Sequence, residues 1–186
     1  MRVLDAARRL VAERGIAAVT MDDVAAAAGV GKGTVYRAVE HRGRLAESLV
    51  DDAERTLQAA ILEGHPPLGP GAPPGERLRA FATSYLGLLD ANTELLIEAD
   101  HHTPGGRFAT GAYAFWHTHV AALTRQLGCA HPELTAELIL ALLAADLYDH
   151  IRRNIKLPPT DVRDGIVTAI DTLVTSDLSP DSTAPA

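Results

Sequence analysis

Residues 20–42 read TMDDVAAAAGVGKGTVYRAVEHR, a stretch that carries the start and stop signals of two short helices. Thr20 followed three residues later by Asp23 is a capping signature, and the alanine-rich run after it favours a helix. Gly29 ends that helix, because glycine adopts the left-handed conformation without a Cβ clash. A second helix begins at Lys32. Two short helices around a glycine turn predict a helix-turn-helix.

The outward side of the second helix carries groups that a DNA duplex can use. It offers cations, a bare backbone, a hydroxyl and a phenol, which suit a recognition helix in a major groove with flanking phosphate contacts. The expected DNA-binding residues are Thr20, Lys32, Gly33, Thr34, Tyr36, Arg37 and Arg42. An ordinary helical hairpin with the same glycine turn is the alternative.

The sequence carries no pattern that predicts an enzyme. GVGKGT, residues 29–34, lacks the spacing of a phosphate-binding loop, since Gly33 separates Lys32 from Thr34. The G-x-S-x-G and H-E-x-x-H patterns do not occur, and the lone Cys129 has no paired base nearby in sequence. We therefore expect neither catalytic residues nor a cofactor.

The histidines are spaced poorly for a metal site. His117 and His119 lie two residues apart on a predicted helix, so their side chains point to different sides. The adjacent His101 and His102 diverge as well. We expect no bound metal, and one or two histidines lining a ligand pocket fit the pattern better.

Charge is distributed unevenly along the 186 residues, whose net charge is −7. Residues 1–48 hold eight Lys and Arg against six Asp and Glu, whereas residues 61–186 hold eight against fifteen. A mildly basic head on an acidic body confines nucleic-acid contact to the head. A single cysteine, with no signal peptide and no long apolar run, predicts a soluble cytoplasmic protein.

Helical periodicity extends on both sides of the helix-turn-helix and predicts an all-α protein. Residues 2–14 form the first helix of a three-helix head, and a long helix from Arg44 to Leu62 links that head to a body. The Pro- and Gly-rich residues 65–75 form a loop. Further helices are expected over residues 76–89, 93–102, 108–127, 133–155 and 160–174. The predicted units are a DNA-binding head (1–45), a helical ligand-binding and dimerisation domain (46–175) and a disordered tail (176–186).

Two sets of apolar residues in the body suggest binding surfaces. The last two helices carry surplus apolar surface that could pair with a second copy as a four-helix bundle. The candidate dimer residues are Leu138, Leu142, Ile166, Ile170 and Leu173. Aromatic residues elsewhere suggest a small-molecule pocket, with Phe81, Tyr85, Leu89, His101, Phe108, Tyr113, Trp116 and Tyr148 as candidates. For both sets the alternative is the monomer's own core.

The head resembles the DNA-binding domain of the tetracycline-repressor (TetR) family of bacterial regulators. The matching residues are LDAARRLVAERG at 4–15, Thr20, Val24, Ala25, Ala28, Gly29, Val30, the run from Lys32 to Arg37, Arg42 and Leu45. The resemblance implies an all-α homodimer that binds double-stranded operator DNA and is released by a small-molecule ligand, and the aromatic residues of the body predict that this ligand is largely apolar. Three positions depart from the family pattern. They are Gly31, the pair Ala38 and Val39, and Arg42. At the position of Arg42 the family usually has Lys.

We therefore expect a ligand-responsive, sequence-specific DNA-binding transcriptional regulator that acts as a repressor. Ligand in the body would change the angle of the linking helix, so that two heads no longer match their half-sites. The main alternative is a helical small-molecule-binding protein or enzyme whose head no longer acts on DNA. An activator or a nucleoid-type DNA binder is a further alternative.

Overall fold

The computed structural model describes residues 2–101 and 106–178, and these are almost entirely helical. The helices are α1 (Arg2–Arg14), α2 (Met21–Ala28), α3 (Lys32–Val39), α4 (Arg42–Glu63), α5 (Pro74–His101), α6 (Gly111–Gln126), α7 (Pro132–Leu142), α8 (Ala145–Asp149) and α9 (Pro159–Ser176). Short 3-10 turns lie at Ile16–Ala18 and Gly106–Ala109, and a π-helical turn at His150–Ile155. The all-α prediction is confirmed.

Local capping chemistry fixes the helices of the head. The Thr20 hydroxyl accepts from the Asp23 amide at 3.1 Å, and the Asp23 carboxylate accepts from the Thr20 amide at 3.0 Å. This capping box starts α2, and Gly29 ends it with φ of 65°. Val24 and Val35 are fully buried where α2 and α3 cross, so the predicted helix-turn-helix is formed.

α4 joins the head to the body and contributes to the core of each. Leu45 and Leu49 pack in the core of the head, whereas Leu57 and Ile61 pack in the core of the body. The large body core contains fully buried Phe81 together with residues of α6, α7 and α9. Residues 179–186, most of the expected tail, lie outside the described residues.

The break expected between residues 89 and 93 is present as a kink within α5. Asn92 has φ of −132° and ψ of 15°, and its side-chain amide donates to the Leu88 carbonyl at 2.9 Å. The N-terminal part of α5 packs in the body core, whereas Leu95, after the kink, packs against the cores of both the body and the head.

One helix prediction is wrong, because residues 133–155 do not form a single helix. The chain leaves the helical conformation at Ala144, with φ of −72° and ψ of 139°, before α8 begins. The break lets Leu143 and Tyr148 both bury their side chains, while the Tyr148 hydroxyl donates to Asp90 at 2.6 Å. Tertiary packing overrides a locally continuous helical pattern here.

Within residues 2–101 and 106–178, no helix is both long and apolar enough to cross a membrane.

Candidate nucleic-acid interface and ligand cavity

Helix α3, the expected recognition helix, has one buried side and one exposed side. Val35 and Val39, four residues apart, face the core of the head. The exposed side carries all five α3 residues expected to meet DNA: Lys32, Gly33, Thr34, Tyr36 and Arg37. Tyr36 is 49% exposed, so its ring and its hydroxyl are accessible to a partner molecule.

The cations of α3 are held by local contacts. Lys32 forms a salt bridge with Asp22 of α2, and this hydrogen bond raises the pKa of the Lys32 amine above its ordinary value. The Arg37 Nε donates to the Gly33 carbonyl at 3.1 Å, so its side chain lies back along α3. Both cations remain exposed to solvent.

The two flanking residues, Thr20 and Arg42, also have protein partners. The Thr20 side chain accepts from the Asp23 amide in the capping box and donates to the Asp23 carboxylate at 2.6 Å. Arg42 is the first residue of α4, and its Nε lies 2.7 Å from Glu98 Oε1. Phosphate contacts by these residues would therefore share or replace existing hydrogen bonds.

A cavity of about 680 Å³ lies in the body between α5, α6, α7, α8 and the 3-10 turn at Gly106–Ala109. Its apolar wall is formed by Ile97, Phe108, Leu138, Ala141, Ala144 and Leu147. Its polar groups are Asp100, Arg107, Tyr113, Glu137 and Asp146. A mostly apolar cavity with a few polar groups is the usual form of a small-molecule site.

Arg107 and Glu137 organise one side of this cavity. The Arg107 guanidinium lies 5.3 Å from the Tyr113 ring centroid and donates to the Leu140 carbonyl at 3.1 Å. The Tyr113 hydroxyl donates to the Glu137 carboxylate, and burial together with this bond raises the pKa of Tyr113 to about 12. His117 Nε2 lies 3.4 Å from the other Glu137 oxygen.

The predicted pocket residues divide between the cavity and the core. Phe108 and Tyr113 line the cavity. Phe81, Tyr85, Leu89 and Trp116 instead pack in the body core, where the three aromatic rings contact one another in tilted or edge-on geometry at centroid distances of 5.7 to 5.9 Å. Tyr148 is buried and bonded to Asp90, and the side chain of His101 lies outside the described residues.

Sequence reasoning missed several cavity residues, among them Arg107, Glu137 and Asp146. They are charged residues at helical positions that normally face solvent, and no spacing rule separates them from their exposed neighbours. The packing of α7 on α6 and of α8 on α5 brings them to one cavity.

The predicted dimer residues also divide into two groups. Ile166 and Ile170 are only 7% and 0% exposed, because α9 packs them into the core of its own chain, so the expectation that they form an intermolecular surface needs correction. Leu142 and Leu173 are partly buried against the same core. Leu138 is 45% exposed, and Leu134, four residues earlier on α7, is 57% exposed.

One partly buried carboxyl, that of Glu54, has a strongly altered acidity. Glu54 lies on the inner side of α4, where burial is the main cause that raises its pKa to about 7. The negative charges of Asp51, Glu47 and Asp100 act in the same direction. Glu54 therefore titrates near neutral pH instead of staying fully ionised.

Comparison with known proteins connects the head to a family. The model of the bacterial regulatory proteins of the tetR family matches residues 3–38. Two curated relatives, both uncharacterized HTH-type transcriptional regulators from strains of Mycobacterium tuberculosis, are 33% identical over 94 residues. The alignment covers 50% of this chain and 45% of each relative, so the chain spans about half the length of the curated relatives it matches.

Solved structures share the whole fold. A TetR from Streptomyces coelicolor superposes with a TM-score of 0.67 at 17% identity and covers 96% of this chain and 98% of its own. A transcriptional regulator from Rhodococcus sp. Rha1 gives 0.65 at 22% identity, with 96% and 98% covered. AibR, solved with isovaleryl coenzyme A and operator DNA, gives 0.60 at 19% identity, with 91% and 97% covered. The head, residues 3–38, thus matches the tetR family of bacterial regulatory proteins, and the chain as a whole shares the fold of these solved structures.

Proposed function

We propose that the protein is a homodimeric transcriptional repressor that binds operator DNA through its head, residues 1–45, and releases it when a small molecule occupies its body, residues 46–175. The observation that carries the proposal is that α3 has one exposed, polar side and one buried, apolar side. Lys32, Thr34, Tyr36 and Arg37 are all exposed, while their neighbours Val35 and Val39 are buried. The fold thus presents hydrogen-bonding and cationic groups on a helix that the rest of the head supports.

The DNA contacts proposed are those of the exposed face together with its two flanks. Tyr36 and Arg37 meet base edges, with Gly33 allowing close approach, and Lys32, Thr34, Thr20 and Arg42 hold phosphates. The chain acts in the cytoplasm, where bacterial operator DNA lies. The acidic body keeps non-specific DNA contact away from the rest of the protein.

The effector proposed is a small, largely apolar molecule in the cavity beside α7 and α8. The cavity volume of about 680 Å³ suits a drug-sized molecule, and Arg107, Tyr113 and Glu137 supply the polar groups that would orient it. AibR offers a precedent in the same fold, since that protein was solved with both isovaleryl coenzyme A and operator DNA. The present cavity has its own lining, so the effector is not inferred from that of AibR.

The dimer proposed uses the exposed face of α7 with the adjoining surface of α9. Leu134 and Leu138 lie four residues apart and leave a hydrophobic stripe in solvent, and the partly buried Leu142 and Leu173 flank it. Two copies would bury this stripe between them and bring two recognition helices to one operator.

DNA binding is tested with duplexes that the wild-type protein selects from a random pool. Fluorescence anisotropy across a salt series should give nanomolar-range, steeply salt-dependent binding. Arg37→Ala should weaken binding to the selected duplex, whereas Arg125→Ala, which removes an exposed body arginine paired with Glu133, is the matched control and should not. A folded wild-type protein that selects no duplex would instead favour a small-molecule-binding protein whose head no longer acts on DNA.

A further inference from the structure

The contact between Arg42 and Glu98 joins the DNA-binding head to the body. Arg42 begins α4, and Glu98 lies 56 residues later on the C-terminal part of α5. The Arg42 Nε donates to Glu98 Oε1 at 2.7 Å. Leu95, one turn before Glu98, packs against the apolar cores of both the head and the body. The ion pair therefore lies at a packed junction between the two units.

The two partners are exposed to different degrees. The Glu98 side chain is only 11% exposed, whereas the Arg42 side chain is 41% exposed. The carboxylate thus lies inside the junction, with the guanidinium on its solvent side. An arginine has five N–H donors arranged in a planar fork. A bond through Nε leaves the terminal amino groups able to donate to a second anion.

Detaching Arg42 from Glu98 would be costly. A buried carboxylate that loses a cationic partner keeps the desolvation penalty of its charge without that partner's compensation. The pair is consequently expected to persist when DNA binds, so that Arg42 bridges the Glu98 carboxylate and a backbone phosphate. An arginine held in this way loses less side-chain freedom on binding than a free one.

We infer that Glu98 is a positioning residue for DNA binding: it holds Arg42 through Nε and directs the terminal amino groups of that arginine toward a phosphate. The inference rests on the proposed DNA-binding function. It also gives the regulatory site a physical route to the head, because Ile97 and Asp100 on the same turn of α5 line the body cavity. A displacement of α5 by a ligand would move the carboxylate that sets the position of Arg42.

The test is a double-mutant cycle on binding of the selected duplex, measured as a function of salt and expressed per folded dimer. Arg42→Ala should weaken binding about tenfold and lower the log–log salt slope by about one unit for each phosphate that the arginine neutralises. Glu98→Ala should weaken binding and lower the slope in the same way, although it removes a negative charge. In the Glu98→Ala background, Arg42→Ala should then cost less than about twofold, because the arginine is already disordered.

Two further variants separate positioning from a general structural role. Arg42→Lys keeps the charge but offers a single terminal amine, so it cannot donate to Glu98 and a phosphate in the same geometry, and most of the tenfold loss should remain. Glu98→Gln keeps a carbonyl acceptor for the Arg42 Nε–H and should retain most of the wild-type affinity. Since Arg42 is partly exposed, Arg42→Lys also keeps the test valid if Glu98→Ala does not fold.

Glu94→Ala is the matched control, because Glu94 lies one turn earlier on α5 and pairs with Arg153 at 2.8 Å instead of with Arg42. It should leave the affinity and the salt slope unchanged. The inference is overturned if Glu98→Ala tightens DNA binding, if the cycle is additive, or if Arg42→Lys binds as the wild type does. A wild-type protein without salt-dependent duplex binding would overturn the proposed function itself, and with it this inference.

Discussion

The Lys32 amine and the Asp22 carboxylate form a salt bridge across the helix-turn-helix, from the first residue of α3 to the first turn of α2. Both side chains are more than half exposed, so water and salt weaken their attraction. A duplex that offers a phosphate to Lys32 must compete with Asp22 for the same amine. Asp22 also adds a negative charge beside the surface proposed to meet DNA.

Asp22→Asn should therefore strengthen DNA binding by a few-fold at low salt, and the gain should shrink as salt is added. The substitution removes the competing charge and leaves the capping box of Thr20 and Asp23 intact. Anisotropy titrations at several salt concentrations measure the effect. Asp164→Asn, at an exposed position on α9 of the body, is the control, and equal gains from both variants would mean that only net charge matters.

Tyr36 should contribute through both its ring and its hydroxyl. Tyr36→Phe should keep the sequence preference and lose about 1 kcal/mol, the value of one neutral hydrogen bond. Tyr36→Ala should lose more and relax the preference at one base pair per half-site, because the ring no longer contacts a base. Since the side chain is 49% exposed and lies outside the head core, neither change should lower the melting temperature appreciably. Selection and melting experiments on both variants decide the matter, and a stability loss without altered preference would contradict the DNA role.

Glu54 should make stability depend on pH around neutrality. Its pKa rises from 4.5 to about 7 on folding, so the folded state holds the proton more tightly than the unfolded state does. The free energy of unfolding should accordingly fall as pH rises from about 4.5 to 7 and level off above that range. Glu54→Gln should remove this slope and stabilise the protein above pH 7 by on the order of 1–2 kcal/mol, allowing for partial solvent exposure.

Urea unfolding at pH 5, 6, 7 and 8 measures this dependence. Glu63→Gln, at an exposed position near the end of the same helix, is the control and should follow the wild-type curve. If wild type and Glu54→Gln keep a constant difference in stability over this range, Glu54 does not titrate there.

The sequence predicted best where local chemistry decides the structure. The Thr20 capping box and the left-handed Gly29 depend on residues within a few positions of each other, and both appear as expected. The break at Ala144 was missed, because an apolar run gives no local signal for a turn that packing imposes. The contact of Arg42 with Glu98 joins residues 56 positions apart, and no periodicity relates them.

The candidate dimer residues were also predicted only in part, but for a different reason. A hydrophobic stripe indicates that a helix face is buried, but it does not say whether the chain itself or a partner covers that face. Ile166 and Ile170 are covered by their own chain, whereas Leu134 and Leu138 on α7 are left exposed. Only the packed structure separates the two cases.

Replacing Leu134 and Leu138 together by Asp should convert the protein to monomers and nearly abolish operator binding. Two charges placed in an apolar interface lose their hydration without gaining partners, while in the free chain both positions are about half exposed, Leu138 at the edge of the body cavity. Light scattering coupled to size exclusion over a range of concentrations measures the mass.

Leu62→Asp, at an equally exposed leucine near the end of α4, is the control and should leave the dimer intact. Ile170→Asp should instead lower the melting temperature sharply, because it buries a charge in the core of a single chain. If the Leu134 and Leu138 double variant still has the mass of a dimer, the two copies meet on another surface.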